Sequence, residues 1–237
     1  MTTEMRVVAD IPRAHAALRP DKIATVFEDR ETTFAELDRR ASRVANGLVA
    51  EGVKPQTRIA VLDKNSDHFF EILFGSAKAN DVIVAVNWRL APPEIAYIIN
   101  DAMAEILFVG ADYLDTAEKI RGDLQTVKKI IALSGAHPEW ESYAAWRDRQ
   151  SDVDPLLPVK GADVTLQMYT SGTTGHPKGA QITNDNLLAL MPAFMREWSQ
   201  WTDADVNMVC MPLFHIGGTG AGLLGLYAGA KTVILRD

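Results

Sequence analysis

Cysteine is nearly missing from these 237 residues, where Cys210 stands alone. A single thiol cannot form an intrachain disulfide. No C-x-x-C pair or Cys/His spacing points to zinc, and His68, His137 and His176 have no partners at metal-ligand spacing. A reducing cytoplasm is therefore the expected compartment. Basic residues are also short, 24 Lys and Arg against 31 Asp and Glu, for a formal charge of -7. That balance argues against nonspecific binding to nucleic acid or to an anionic membrane. The opening residues, with Glu4, Arg6 and Asp10, lack the apolar run of a signal peptide. Val206 to Ala230 has no Asp, Glu, Lys or Arg and could span a bilayer by length, but Asn207, Pro212, His215 and six glycines interrupt it. A buried strand, loop and helix is predicted there instead of a membrane span.

What is present is ordinary for a globular protein, with 47% apolar and 23% charged residues, and long enough for one substantial core or two small ones. The unusual stretch is Tyr169 to Ala180, Y-T-S-G-T-T-G-H-P-K-G-A. Gly172 and Gly175 can take backbone angles closed to other residues, so that consecutive N–H groups curl toward one anion. Thr170, Ser171, Thr173 and Thr174 add hydroxyl donors and Lys178 a full charge, a set suited to polyphosphate. The common P-loop is excluded, because Pro177 removes an N–H just before the lysine and Gly179 stands where that pattern needs Ser or Thr. A Gly/Thr-rich surface turn would not need so many donors together.

The rest of the chain alternates strands and helices. Asp10 is expected to cap a helix to Leu18, and Ile23 to Thr33 reads as a hairpin. Thr33 and Glu36 form a T-x-x-E box opening an amphipathic helix that Gly52 ends. Ser66 should cap a helix to Ala79, and the β-branched run Val82 to Val86 should be buried on both faces. Further helices are predicted from Pro92, near Tyr113 to Arg121, and from Glu139 to Arg149, with strands at Ile106 to Val109 and Ile130 to Leu133. A loop covers Ser151 to Asp163. Val164 to Tyr169 is a strand delivering the glycine stretch, and Ala180 to Ile182 resumes it. Thr183 or Asn184 caps a helix to about Gln200 that Pro192 can kink. The pattern predicts an α/β protein of mostly parallel sheets flanked by helices.

Thr170 to Lys178 resembles the signature of the AMP-forming adenylating superfamily: acyl-CoA synthetases, firefly-type luciferases and adenylation domains of peptide synthetases. Thr32 to Leu37 is similar to its first core motif, although a capped amphipathic helix is sufficient by itself to explain those residues and is the preferred reading. Gly75 to Glu94 resembles the second in the form seen in fatty-acyl-CoA synthetases, with Asn80 and Ala85 where relatives usually have Gly and Pro. Asn87, Trp88 and Arg89 within it read as structural. Met211 to Gly218 resembles the motif lining the acyl pocket. The resemblance implies that residues 1–237 are the N-terminal portion of the AMP-binding large domain. It also implies that Thr170, Ser171, Gly172, Thr173, Thr174, Gly175 and Lys178 bind the phosphates of ATP, and that Thr170 helps position Mg2+. His215 and Ile216 would border the acyl substrate, and Gly217, Gly218 and Thr219 occupy places where some long-chain relatives carry a bulky aromatic gate, implying a more open entrance. At Asn184 relatives often have His.

The implied reaction joins a carboxylic acid, best matched by a fatty acid, to ATP as acyl-AMP and passes the acyl group to CoA. The family's later motifs, including its catalytic lysine, are absent before Asp237. The expectation is therefore a fragment inactive alone, with unpaired sheet edges that favour association with further copies. Two other readings stay open: a noncatalytic nucleotide-binding or assembly module acting with a partner chain, and a dinucleotide-dependent oxidoreductase, suggested by the G-x-G-x-x-G spacing of Gly220, Gly222 and Gly225.

Overall fold

The structure is a computed structural model that describes residues 4–170 and 175–237. In chain order, α1 (Asp10–Leu18) leads into the hairpin β1 (Ile23–Phe27) and β2 (Arg30–Thr33), then α2 (Phe34–Ala50). Next come β3 (Arg58–Leu62), α3 (Asp67–Ala79), β4 (Val82–Ala85), α4 (Pro92–Asp101) and β5 (Ala104–Val109). They are followed by α5 (Leu114–Ile120), β6 (Lys129–Ala132), β7 (Glu141–Ser142), α6 (Tyr143–Asp148), β8 (Val164–Thr170) and β9 (Lys178–Thr183). The described chain closes with α7 (Asn184–Phe194), β10 (Val206–Val209), α8 (Ile216–Ala228) and β11 (Lys231–Ile234).

Among the described residues the strands form two sheets. The larger has the order β7-β6-β5-β3-β4-β8-β9 and the smaller β10-β11-β1-β2. All neighbours run parallel except the hairpins β1–β2 and β8–β9. The larger sheet is apolar on both faces, as the unbroken apolar runs of its central strands require. Ile59, Val61, Ile83, Ala85, Leu166 and Met168 pack on the side of α2 and α3. Ala60, Leu62, Val84 and Leu107 point the other way, onto α4 and α5. Strand alternation thus splits one sheet between two cores.

Several helix starts differ from the sequence expectation. Thr33 does cap α2, accepting from the Glu36 N–H at 3.2 Å, but the Glu36 carboxylate turns to Arg40. Ser66 occupies the cap position of α3 while its hydroxyl bonds Asp63, at 3.4 Å. Asp10 lies inside α1, and its carboxylate accepts the N–H groups of Arg6 and Val7 ahead of the helix. The helix expected from Glu139 begins only at Tyr143, since Glu141–Ser142 pairs with β6 and Ser142 caps α6 through the Ala145 N–H. Pro192 sits within α7, which gives way after Phe194 to a π turn at Met195–Ser199. A missing proline N–H accounts for such a break. Val206 to Ala230 forms a strand, loop and helix, and no described helix is long and apolar enough to cross a membrane.

Asn80 explains a departure from the second core motif. It ends α3 in the left-handed region, with φ of 59°, a conformation that asparagine tolerates and glycine prefers. Its side chain then does what glycine could not. It donates to Pro158 O and Asp163 Oδ2, each at 3.1 Å, and accepts from Gln56 Nε2 at 2.9 Å. Those bonds fasten the irregular segment 151–163 across the edge of α3. A second fastening is buried: Lys78 Nζ reaches Asp38 Oδ1 at 2.6 Å and Asp154 Oδ2 at 2.7 Å, and Arg13 takes both oxygens of Asp154. Burial alone would raise the Asp154 carboxyl, but hydrogen bonds from Arg13 and Lys78 hold it well below the usual range.

Candidate active site

Tyr169 to Lys178 closes the antiparallel hairpin β8–β9, so the glycine stretch opens no helix, unlike a P-loop. Thr170 lies opposite Lys178 and Tyr169 opposite Gly179 in the register. Side chains alternate along a strand, so Thr170 and Lys178 share one face and Tyr169 takes the other. Thr170 and Lys178 are both exposed, and Lys178 has no ion-pair partner among the described residues. Gly175 has φ of 109°, a conformation that L side chains rarely adopt, and a Cβ there would meet nothing within 4 Å among the described residues. Ser171, Gly172, Thr173 and Thr174 lie outside the described residues.

The reverse face of the hairpin explains Gly179. A Cβ there would lie 2.5 Å from Gln167 Nε2 and 3.0 Å from Tyr169 Cζ, because both side chains cross over it. Tyr169 Oη donates to Asp101 Oδ2 on α4 at 2.6 Å and accepts from Gln167 Nε2 at 3.1 Å. Burial, and then the Asp101 carboxylate, push the phenol well above its ordinary value. On the returning side of the loop, the His176 ring stacks on Tyr97 of α4 with centroids 5.0 Å apart.

The second group of expected site residues surrounds the start of α8. His215 is its cap residue, and its carbonyl accepts the N–H groups of Gly218 and Thr219, each at 3.0 Å. The His215 and Ile216 side chains are exposed. The following residues face inward. A Cβ on Gly217 would lie 2.6 Å from Met211 Cε, and one on Gly218 would lie 2.3 Å from the Pro212 carbonyl. Thr219 is fully buried and donates to Leu213 O at 2.5 Å. The small side chains at 217 and 218 thus answer to contacts within the loop itself.

Two residues outside that motif hold it in place. Trp88, on the loop after β4, meets the Phe214 ring edge-on at 5.8 Å, and the Arg89 guanidinium lies over both rings. The second core motif and the pocket motif therefore touch, in keeping with a structural part for Trp88. Asn65, after β3, was not distinguishable in the sequence. Its amide donates to Met211 O and Leu235 O, and its oxygen accepts from Leu213 N at 2.8 Å. These partners lie 146 to 170 positions away, and nothing local marks the residue beyond a polar run at a strand end.

Asp67, His68 and Glu71 bring three ligand-type side chains within 4.8 Å of one another. Their charge is already consumed. Arg30 takes both oxygens of Asp67, while Arg40, Arg147 and the Tyr143 hydroxyl occupy Glu71. Burial would raise Glu71, but His68, Arg147 and Arg40 hold it well below the usual range. A cation would have to displace those guanidinium groups. The dinucleotide pattern also fails on geometry, because Gly220, Gly222 and Gly225 all lie inside α8 and not at a strand-to-helix turn. A Cβ on Gly222 would meet Phe70 at 2.3 Å and one on Gly225 would meet Asn207 at 2.4 Å, so close packing requires these two glycines.

Among the described residues, a mostly parallel α/β sheet ends in a hairpin that presents Thr170 and a Lys178 without an ion-pair partner on one face. The profile of the AMP-binding enzyme family matches residues 12–237, and the chain belongs to that family. It is 35% identical over 241 residues to a fatty acid–[acyl-carrier-protein] ligase of Streptomyces coeruleorubidus, covering 98% of this chain and 44% of the relative. A crystal structure assigned to a long-chain-fatty-acid CoA ligase of Rhodopseudomonas palustris superposes with a TM-score of 0.90 at 31% identity, covering 98% of this chain and 57% of that one. An anthranilate CoA ligase in complex with anthranoyl-AMP gives a TM-score of 0.93 at 27% identity, over 99% of this chain and 46% of that one. The chain thus spans less than half the length of the curated relative.

Proposed function

We propose that the protein containing these residues is an AMP-forming acid–thiol ligase. A carboxylate oxygen bonds to the α-phosphorus of ATP as the bond to pyrophosphate breaks. A thiol, that of CoA in this reading, then bonds to the acyl carbon and AMP departs. The observation that carries the proposal is the exposed Lys178, with no ion-pair partner among the described residues, in register with Thr170 at the mouth of the hairpin. An anionic nucleophile must approach an anionic triphosphate, so the site must first neutralise and hold the β- and γ-phosphates. Lys178 supplies charge, while Thr170, Ser171, Gly172, Thr173, Thr174 and Gly175 supply donors and a permissive backbone. The Thr170 hydroxyl is a hard oxygen donor of the kind Mg2+ accepts beside phosphate oxygens, and would help hold an ion brought in with the nucleotide.

His215 and Ile216 present the exposed side chains beside which the acid would lie, with Gly217, Gly218 and Thr219 shaping the turn beneath them. The acid is assigned as a fatty acid on the strength of the N-W-R-L and F-H-I-G-G motifs and the named relatives. The test is pyrophosphate release by the full-length protein with ATP and a panel of carboxylic acids, with CoA and an acyl-carrier protein compared as acceptors. Acid-dependent release is expected from the intact protein, and none from residues 1–237 alone. ATP binding by the intact protein without acid-dependent release would overturn this reading in favour of a noncatalytic nucleotide-binding module.

A further inference from the structure

The hairpin that would hold the phosphates is gripped from behind by one helix. Tyr97 and Asp101 are four residues apart on α4, a spacing that places both on one helical face. Asp101 Oδ2 accepts from Tyr169 Oη at 2.6 Å, just before the loop. Tyr97 stacks on His176 at 5.0 Å, two residues before β9 begins. The end of β8 and the approach to β9 are therefore each held by a separate contact to the same helix. The middle of that grip is filled by Gln167, which donates to Tyr169 Oη, and it closes only because Gly179 has no side chain. α4 is itself anchored in the second core through Ile95, Ile98 and Ile99, and its start is fixed by two prolines and by Glu94, which accepts the Ala91 N–H at 2.9 Å.

We propose that α4 is the clamp that sets the spacing of the phosphate hairpin, with Tyr97 and Asp101 as positioning residues for the triphosphate of ATP. This rests on the proposed nucleotide site. Strand alternation links the two faces: Tyr169 is held toward α4, so its neighbour Thr170 and the cross-strand Lys178 are aimed from the opposite face. Tyr97 and Asp101 lie on the Tyr169 side of the hairpin, away from the face of Thr170 and Lys178. They act through Tyr169 and His176, and loosening either frees that side of the loop mouth under the phosphates. The energy of one aromatic pair or one charge-assisted hydrogen bond is enough to shift nucleotide affinity several-fold.

The experiment uses the full-length enzyme and measures ATP affinity by calorimetry alongside KM for ATP and for the acid. Tyr97→Ala and Asp101→Ala are each expected to weaken ATP binding and raise its KM by about threefold to tenfold, leaving the KM for the acid within about twofold. Tyr97→Phe keeps the ring and Asp101→Asn keeps an acceptor oxygen, and both should restore the wild-type values. Tyr169→Phe should match Asp101→Ala, and the double variant should be no worse than either single one, since both remove the same bond. ATP affinity within about twofold of wild type in both alanine variants would overturn the clamp, as would equal rises in KM for ATP and acid, which mark general loosening. Wild-type protein that binds ATP but releases no pyrophosphate with any acid would defeat the proposed ligase and leave the clamp to be judged on affinity alone.

Discussion

Replacing Asp81 by Asn should flatten the pH dependence of stability. Asp81, between Asn80 and β4, is 1% exposed, and neither carboxylate oxygen makes a well-formed hydrogen bond among the described residues, the Thr57 backbone giving only a weak one. Burial pushes its pKa from 3.8 up to about 8, only partly offset by the Thr57 backbone and reinforced by the Glu105 charge. The folded protein therefore keeps Asp81 protonated at neutral pH, while the unfolded chain releases that proton above about pH 4. Its contribution to stability is fully present below the unfolded pKa and is lost as pH rises toward 8. Each pH unit in that window costs about 1.4 kcal/mol, or about 3 kcal/mol between pH 5 and 7. Asn cannot ionise, so the difference between wild type and Asp81→Asn isolates this one group; Asp63, raised by burial to about 6, is common to both and cancels. Urea denaturation of the intact protein at constant ionic strength should show wild type losing ground to the variant from pH 5 to 8 and the gap levelling above that. A gap constant to within about 0.5 kcal/mol across the range would mean that Asp81 is ionised and solvated in the folded protein, and would refute the reasoning.

Lys178→Ala should lower acid-dependent pyrophosphate release by the full-length enzyme about 100-fold to 1,000-fold while shifting unfolding free energy by less than about 0.5 kcal/mol, because the side chain is exposed and has no ion-pair partner among the described residues. Unchanged turnover would remove it from the site. Gly218→Ala should destabilise by about 1 to 3 kcal/mol in thermal unfolding, since its Cβ would strike the Pro212 and Met211 carbonyls. Gly220→Ala, with nothing within 4 Å, should be neutral or slightly stabilising in the same helix. Asn80→Ala should cost about 1 to 3 kcal/mol, losing its side-chain bonds while keeping a left-handed φ that alanine dislikes, and Asn80→Gly should cost less. Equal losses in the two variants would show that the side-chain bonds, and not the backbone angle, set the cost.

Local order was legible wherever a signal is carried by neighbours in sequence. The hairpin at β1–β2, the Thr33 cap, the buried run of β4 and the strand, loop and helix at the end of the chain all follow from alternation, capping residues or glycine placement. Boundaries failed where a distant partner decided them. Glu141–Ser142 became a strand because β6 lay beside it, which moved the start of α6 to Tyr143. The glycines, hydroxyls and lysine between Thr170 and Gly179 stood out as a motif, but the antiparallel pairing of β9 with β8 and the contacts with α4 were not legible.

The amino-acid sequence by itself determined the α/β class, the family and the chemical character of the Thr170 to Lys178 motif, because composition, periodicity and a dense local motif survive without a fold. Only the tertiary structure decided that Tyr97 meets His176 and Asp101 meets Tyr169, that Asn65 ties Met211 and Leu213 to the end of β3, that the arginines neutralise Asp67 and Glu71, and that Gly179 and Gly218 are small for steric reasons. Each of these depends on which side chains from remote positions come within a few ångströms, and no spacing along the chain encodes that.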